Sequence, residues 1–182
     1  LDHFIRFSER MFSEYGDRVK LWCTHNEPGP FATMGWGMGV FPPGVRSPTR
    51  LGAVLTNLMR SHCRVYAALK AMPGGDQAQV GLVKNIFQFD PWRRWNPTHW
   101  ALTRTLEEVY NSSILRFFGG GPFTISVPGV MKVREEIPGA ELDFIGLNYY
   151  SHLLLSPLMP TSPPFKVLGR PGDVVTDFPY CS

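Results

Sequence analysis

Three times along the chain an amphipathic helical stretch gives way to a short, largely apolar strand-like run, and this alternation restricts the fold more than any other feature. Leu1, Phe4, Ile5, Met11, Phe12 and Tyr15 share one helical face, which Gly16-Asp17 ends. Val19 to Cys23 reads as a buried strand, and Gly29 to Arg46, rich in glycine, proline and aromatics, suits a long connecting loop. Ser47-Pro48 supplies a capping hydroxyl and a proline at the first helical position. Leu51, Val54, Leu55, Leu58, Met59, Val65, Tyr66 and Leu69 then keep helical spacing for about six turns. After Met72-Pro73-Gly74-Gly75, Val80 to Phe87 is a second strand. Asn96-Pro97 opens another helix, with Trp100, Leu106, Val109, Tyr110 and Leu115 as candidate buried positions, and Gly119-Gly120-Gly121-Pro122 breaks it. A third strand, Leu142 to Tyr149, follows a turn at Pro138-Gly139.

Strands alternating with helices predict an α/β chain with a parallel sheet. A doubly wound open sheet and a closed (β/α)8 barrel both meet that description. The first strand lacks the glycine-rich turn of a dinucleotide fold, and polar residues gather where each strand ends. That is the layout of a barrel enzyme site, so the partial barrel is the expectation. A whole barrel takes roughly 250 residues, and the 182 residues here provide three strands. The chain opens on Leu1 inside a helical pattern and stops after a proline-rich tract, which reads as a segment of a single longer domain.

Composition narrows the function classes. With 43% apolar residues the chain can build one sizeable core. The formal charge is +3, but the basic residues form no run, which argues against nucleic acid and against a polybasic membrane patch. No apolar stretch approaches the roughly 20 residues that span a bilayer. Cys23, Cys63 and Cys181 are odd in number and lack metal-ligand spacing, which fits a reducing, cytoplasmic setting, although a chain opening on Leu1 leaves localisation open. Asn111-Ser112-Ser113 matches a glycosylation triplet but lies inside a helical pattern and carries little weight.

The three strand ends offer Asn26 and Glu27, then Asn85, then Asn148 and Tyr150. Alternation sends Asn148 and Tyr150 to one side of their strand and turns His25 away from the side Asn26 faces. Strict alternation would also separate Asn26 from Glu27, so Glu27 joins the others only if the strand twists or bulges before Pro28. Such groups suit glycoside hydrolysis. One carboxylic acid protonates the leaving oxygen, and a second carboxylate, about 5–5.5 Å away in retaining enzymes, attacks the anomeric carbon. Amides orient sugar hydroxyls, a tyrosine hydroxyl steadies a carboxylate, and aromatic faces offer platforms for sugar rings.

The motifs in combination resemble family 1 of the glycoside hydrolases, the β-glucosidase-like TIM barrels. Tyr15 to Trp22 resembles the approach to that family's fourth strand, and Trp22-Cys23-Thr24-His25-Asn26-Glu27-Pro28 resembles its W-x-T-x-N-E-P signature. Gly35 to Gly39 with Pro42-Pro43-Gly44, the Ser61-His62 pair, Val80 to Asn85 and Asp143 to Tyr150 are similar to successive later segments through the sixth strand. The resemblance implies a retaining β-glycosidase, acting on β-glucosides or β-galactosides without metal or cofactor, with Glu27 as general acid/base. It implies that Asn26 binds the hydroxyl beside the anomeric carbon, that Asn85 faces the aglycone, and that Asn148 and Tyr150 lie near the nucleophile, with Tyr150 hydrogen-bonding to it. His62 is expected to be structural, and Trp92, Trp95 and Trp100 to be packing or surface residues. The family's nucleophile sits in an E-N-G motif on its seventh strand, and no such motif occurs in this chain. A non-catalytic barrel that binds sugar or a partner, and a phospho-β-glycosidase, are the alternatives.

Overall fold

The computed structural model describes residues 1–156, so Cys181 and the proline-rich tail lie outside the described residues. Helix α1 (Asp2–Tyr15) buries Phe12 against Trp22, Val65, Leu69 and Val80, while Leu1 and Tyr15 at its ends stay exposed. Strand β1 (Leu21–Asn26) follows, then a short α2 (Pro28–Ala32) and a π-helical turn, Thr33–Gly37. The expected long loop is therefore partly helical. Pro28, with its fixed φ, suits a first helical turn, and Ala32 and Met34 supply a buried face.

Helix α3 (Pro48–Ala71) begins as expected, with the Ser47 hydroxyl accepting from the Arg50 amide at 3.3 Å. Strand β2 (Gln79–Pro91) is longer than the apolar run indicated. The following helix is α4 (Pro97–Leu106), capped by Asn96. It loosens into π-helix over Glu107–Ser112 and tightens again as α5 (Ser113–Phe118). Within this stretch the Asn111 side-chain amide donates to the Phe87 carbonyl at 2.7 Å and accepts from the Phe87 amide at 3.4 Å. That bond ties the helix to β2 and fully engages the amide of the glycosylation triplet.

A two-stranded antiparallel hairpin, β3 (Phe123–Val127) and β4 (Met131–Glu135), precedes the last strand and had no counterpart in the sequence reading. Phe123 and Ile125 complete a core with Leu55, Met59, Cys63, Ile114 and Phe117. Strand β5 (Phe144–Leu155) starts two residues later and runs six further than expected.

Strands β1, β2 and β5 form one parallel sheet in sequence order. Sequential order with helical crossovers is what a barrel requires, whereas a doubly wound sheet reverses direction from its middle. Two glycines permit close strand contact. A Cβ on Gly81 would stand 2.1 Å from the Phe144 carbonyl oxygen, and one on Gly146 would stand 2.8 Å from Val83. No helix among the described residues is long and apolar enough to cross a membrane.

Candidate active site

At the end of β1 the sheet register slips. Cys23 pairs with Gly81 but Asn26 pairs with Val83, so three steps on β1 match two on β2. This is a β-bulge, and it re-aims the side chains that follow it. Thr24 and His25, neighbours in sequence, both reach α3. Thr24 Oγ1 lies 2.7 Å from His62 Nδ1, and His25 Nε2 lies 2.7 Å from Ser61 Oγ. Ser61 gives its own proton to the Leu58 carbonyl, so the hydrogen between Ser61 and His25 belongs to the imidazole.

His62 is fully buried and points its Nε2 at the Glu141 carbonyl, 2.9 Å away, which fixes the proton on that nitrogen and makes Nδ1 an acceptor for the Thr24 hydroxyl, whose oxygen also lies at a longer 3.2 Å from the Gly81 carbonyl. Burial favours the neutral form of both rings. It pushes His25 down to about 4, with His62 adding repulsion, and lowers His62 against the opposing pull of the Glu141 carbonyl. His25 therefore faces away from the pocket, as alternation predicted, but a bulge rather than simple alternation puts it beside Thr24.

Beyond the bulge, Glu27 takes φ 50° and ψ 62°, the one non-glycine residue in left-handed geometry among the described residues. Its amide donates to the Val83 carbonyl at 2.8 Å, so its backbone stays on the sheet while its side chain turns inward. This is the departure from alternation that Glu27 needed. Strain of this kind, about 1–3 kcal/mol for a non-glycine residue, persists where the surroundings hold it.

The carboxylate of Glu27 meets β5. Its Oε1 accepts from Tyr150 Oη at 2.5 Å and from Asn148 Nδ2 at 2.7 Å, and the amide and hydroxyl lie 3.2 Å apart. Both donors contact one oxygen, and no hydrogen bond reaches the other among the described residues. Asn148 stands beside Asn85 in the β2–β5 register. Asn26 is exposed and makes no side-chain hydrogen bond among the described residues.

Asn85 departs from the expected arrangement. It is 1% exposed, with Nδ2 donating to Tyr110 Oη at 2.8 Å and Oδ1 lacking a partner. The structure thus gathers Glu27, Asn148 and Tyr150 directly, leaves Asn26 open beside them, and closes Asn85 beneath. Tyr150 bonds to Glu27 itself, where the resemblance put it against a nucleophile. Trp36 packs on Phe31 with ring centroids 5.1 Å apart, and Trp95 is 75% exposed.

The sequence reading missed two sets of supporting residues. One is the Ser61–His25 and Thr24–His62 pair of bonds. The other is Lys84, whose ammonium is buried and donates to the carbonyls of Asn85 and Tyr110, each at 2.7 Å. Burial pushes its pKa down to about 8, opposed by Glu107. A charged residue inside an apolar strand run was the available signal for it. Among the described residues no group of histidine, cysteine and carboxylate side chains is arranged to hold a metal ion.

Comparison with known proteins identifies the family and the fold. The sequence profile of glycosyl hydrolase family 1 matches residues 1–163. Avenacosidase 1 of Avena sativa is 26% identical over 173 residues, covering 80% of this chain and 30% of that protein. Beta-glucosidase A of Thermotoga maritima is 28% identical over 172 residues, covering 84% and 36%. Among solved structures, a beta-glycosidase from Pyrococcus horikoshii superposes with a TM-score of 0.71 at 27% identity, over 83% of this chain and 33% of that one. A Thermotoga maritima beta-glucosidase in complex with noeuromycin gives 0.72 at 25% identity, over 93% and 39%. The chain spans about a third of the length of the relatives it matches. Its parallel strands and helices are part of a TIM barrel. By its matched residues and its fold, the chain belongs to glycosyl hydrolase family 1.

Proposed function

We propose that this chain supplies the acid/base half of a retaining β-glycosidase, within a single (β/α)8 domain that residues outside these 182 complete. The observation that carries the reading is the Glu27 carboxylate at a parallel strand end, gripped through one oxygen by Tyr150 and Asn148. In the first step a carboxylate nucleophile bonds to the anomeric carbon as the glycosidic C–O bond breaks, and Glu27 gives its proton to the leaving oxygen. In the second, Glu27 takes a proton from water as the water oxygen displaces the enzyme carboxylate. Asn26 binds the sugar hydroxyl next to the anomeric carbon. Asn148 and Tyr150 hold Glu27 and border the nucleophile, and Asn85 supports the aglycone side from below. The substrate is a β-glucoside or β-galactoside, and neither metal nor cofactor takes part.

No E-N-G motif occurs in these residues, so the 182-residue chain alone should not turn over substrate. In the full-length protein, Glu27→Ala should slow hydrolysis most for substrates with poor leaving groups, and azide should restore rate by attacking the glycosyl-enzyme. Equal loss for every leaving group without azide rescue would overturn the assignment. Complete inactivity of a full-length wild type that still binds β-glycosides would favour a sugar-binding relative instead.

A further inference from the structure

The loop that carries Glu27 rests on a buried polar group that the proposed chemistry does not use. Lys84 is 1% exposed, on the strand residue after Val83, whose carbonyl holds the Glu27 amide. The Lys84 ammonium donates to the carbonyls of Asn85 and Tyr110 and lies 5.3 Å from the Tyr110 ring centroid. Tyr110 sits in the π-helical stretch, and its hydroxyl receives the Asn85 amide. Tyr110 and Asn85 both stand opposite the residue two places after Glu27. A Cβ on Gly29 would come 3.6 Å from Tyr110 Cζ and 3.7 Å from Asn85 Oδ1. Helical geometry from Pro28 onward and left-handed geometry at Glu27 meet at this seat.

We infer that Lys84 and Tyr110 are positioning residues, which hold the Pro28-Gly29 turn in place and thereby keep Glu27 in its left-handed conformation, with its carboxylate on Tyr150 and Asn148. An ammonium in an apolar core is costly, and a leucine or methionine would fill the same space at less expense. A charge kept there fits a requirement to fix two backbone carbonyls from different elements to one point. The π-helical turn points the same way, since such turns are irregularities that persist where they place a particular residue.

This inference rests on the acid/base reading for its functional meaning, but its test reads geometry alone, so either can fail without the other. Backbone and carboxyl carbon chemical shifts of Glu27 would be measured by NMR at neutral pH in wild type, Lys84→Met, Lys84→Arg and Tyr110→Phe. The Glu27 Cα and Cβ shifts should leave left-handed values in Lys84→Met. Its carboxyl carbon should move in both Lys84→Met and Tyr110→Phe, and Lys84→Arg should restore part of the wild-type pattern. Should Lys84→Met not fold, Tyr110→Phe, which removes one oxygen atom, decides the matter. Folded variants whose Glu27 resonances coincide with wild type would reduce Lys84 and Tyr110 to core packing and overturn the inference.

Discussion

Acidification below pH 6.5 should weaken this fold through His25. The ring stacks on Phe4 with centroids 5.2 Å apart and donates to Ser61, and burial pushes its pKa from 6.5 to about 4. The folded value lies below the unfolded one, so between these pH values the unfolded chain binds the extra proton. Stability from the neutral ring is complete above pH 6.5 and is lost as pH falls toward 4. At 1.36 kcal/mol per pH unit the full loss is about 3 kcal/mol, of which about 2.5 kcal/mol is spent by pH 4.5. Phenylalanine at this position keeps the stack on Phe4 and removes the titration. His25→Phe should therefore lose about 1 kcal/mol at pH 7 for the Ser61 bond. It should then lose about 2.5 kcal/mol less than wild type between pH 7 and 4.5. Urea denaturation at the two pH values measures both numbers. His62 remains in each protein, so its own titration largely cancels in the comparison. Parallel loss of stability in wild type and His25→Phe would refute the buried neutral imidazole as the cause.

Three further outcomes follow from packing and hydrogen bonding. Partial desolvation of the Asp143 carboxyl favours its neutral form, yet bonds from Lys70 at 2.6 Å, the Val80 amide at 2.7 Å and Tyr66 at 3.0 Å outweigh this and lower its pKa. Asp143→Asn should cost about 1–2 kcal/mol at pH 7, and the difference from wild type should shrink as pH falls through the range where Asp143 protonates, as read by urea titration. Gly81→Ala puts a methyl 2.1 Å from the Phe144 carbonyl oxygen. Parting β2 from β5 should cost about 3 kcal/mol or more, visible as lost cooperativity in thermal unfolding followed by circular dichroism. Asn111→Leu strips the Phe87 amide and carbonyl of their buried partner and should lower stability by about 2 kcal/mol or more, with an unchanged midpoint counting against the Asn111 tie.

The local pattern determined the elements and their order. Apolar residues at helical and strand spacing marked α1, α3 and the three parallel strands, because burial of one face imposes a period that side chains reveal directly. Ser47-Pro48 and Asn96-Pro97 marked two helix starts for an equally local reason, since capping bonds span only two or three residues. Glu27, Asn148 and Tyr150 were legible as polar residues at strand ends. The hairpin β3–β4 was not, because its strands of five residues each are stabilised by Phe123 and Ile125 packing on distant α3 as well as on neighbouring α5.

Tertiary structure decided how the site is oriented. Alternation alone separates Asn26 from Glu27. The bulge at Thr24-His25, fixed by Ser61 and His62 some 36 to 38 residues away, and the left-handed turn at Glu27 bring the carboxylate inward. Tertiary packing also withdrew Asn85 from the surface and gave it to Tyr110, in a π-helical turn 25 residues further on. Periodicity records which face of an element is apolar. Bulges, strained turns and buried ion contacts depend on partners distant in sequence, and here those partners set the direction in which Glu27 points.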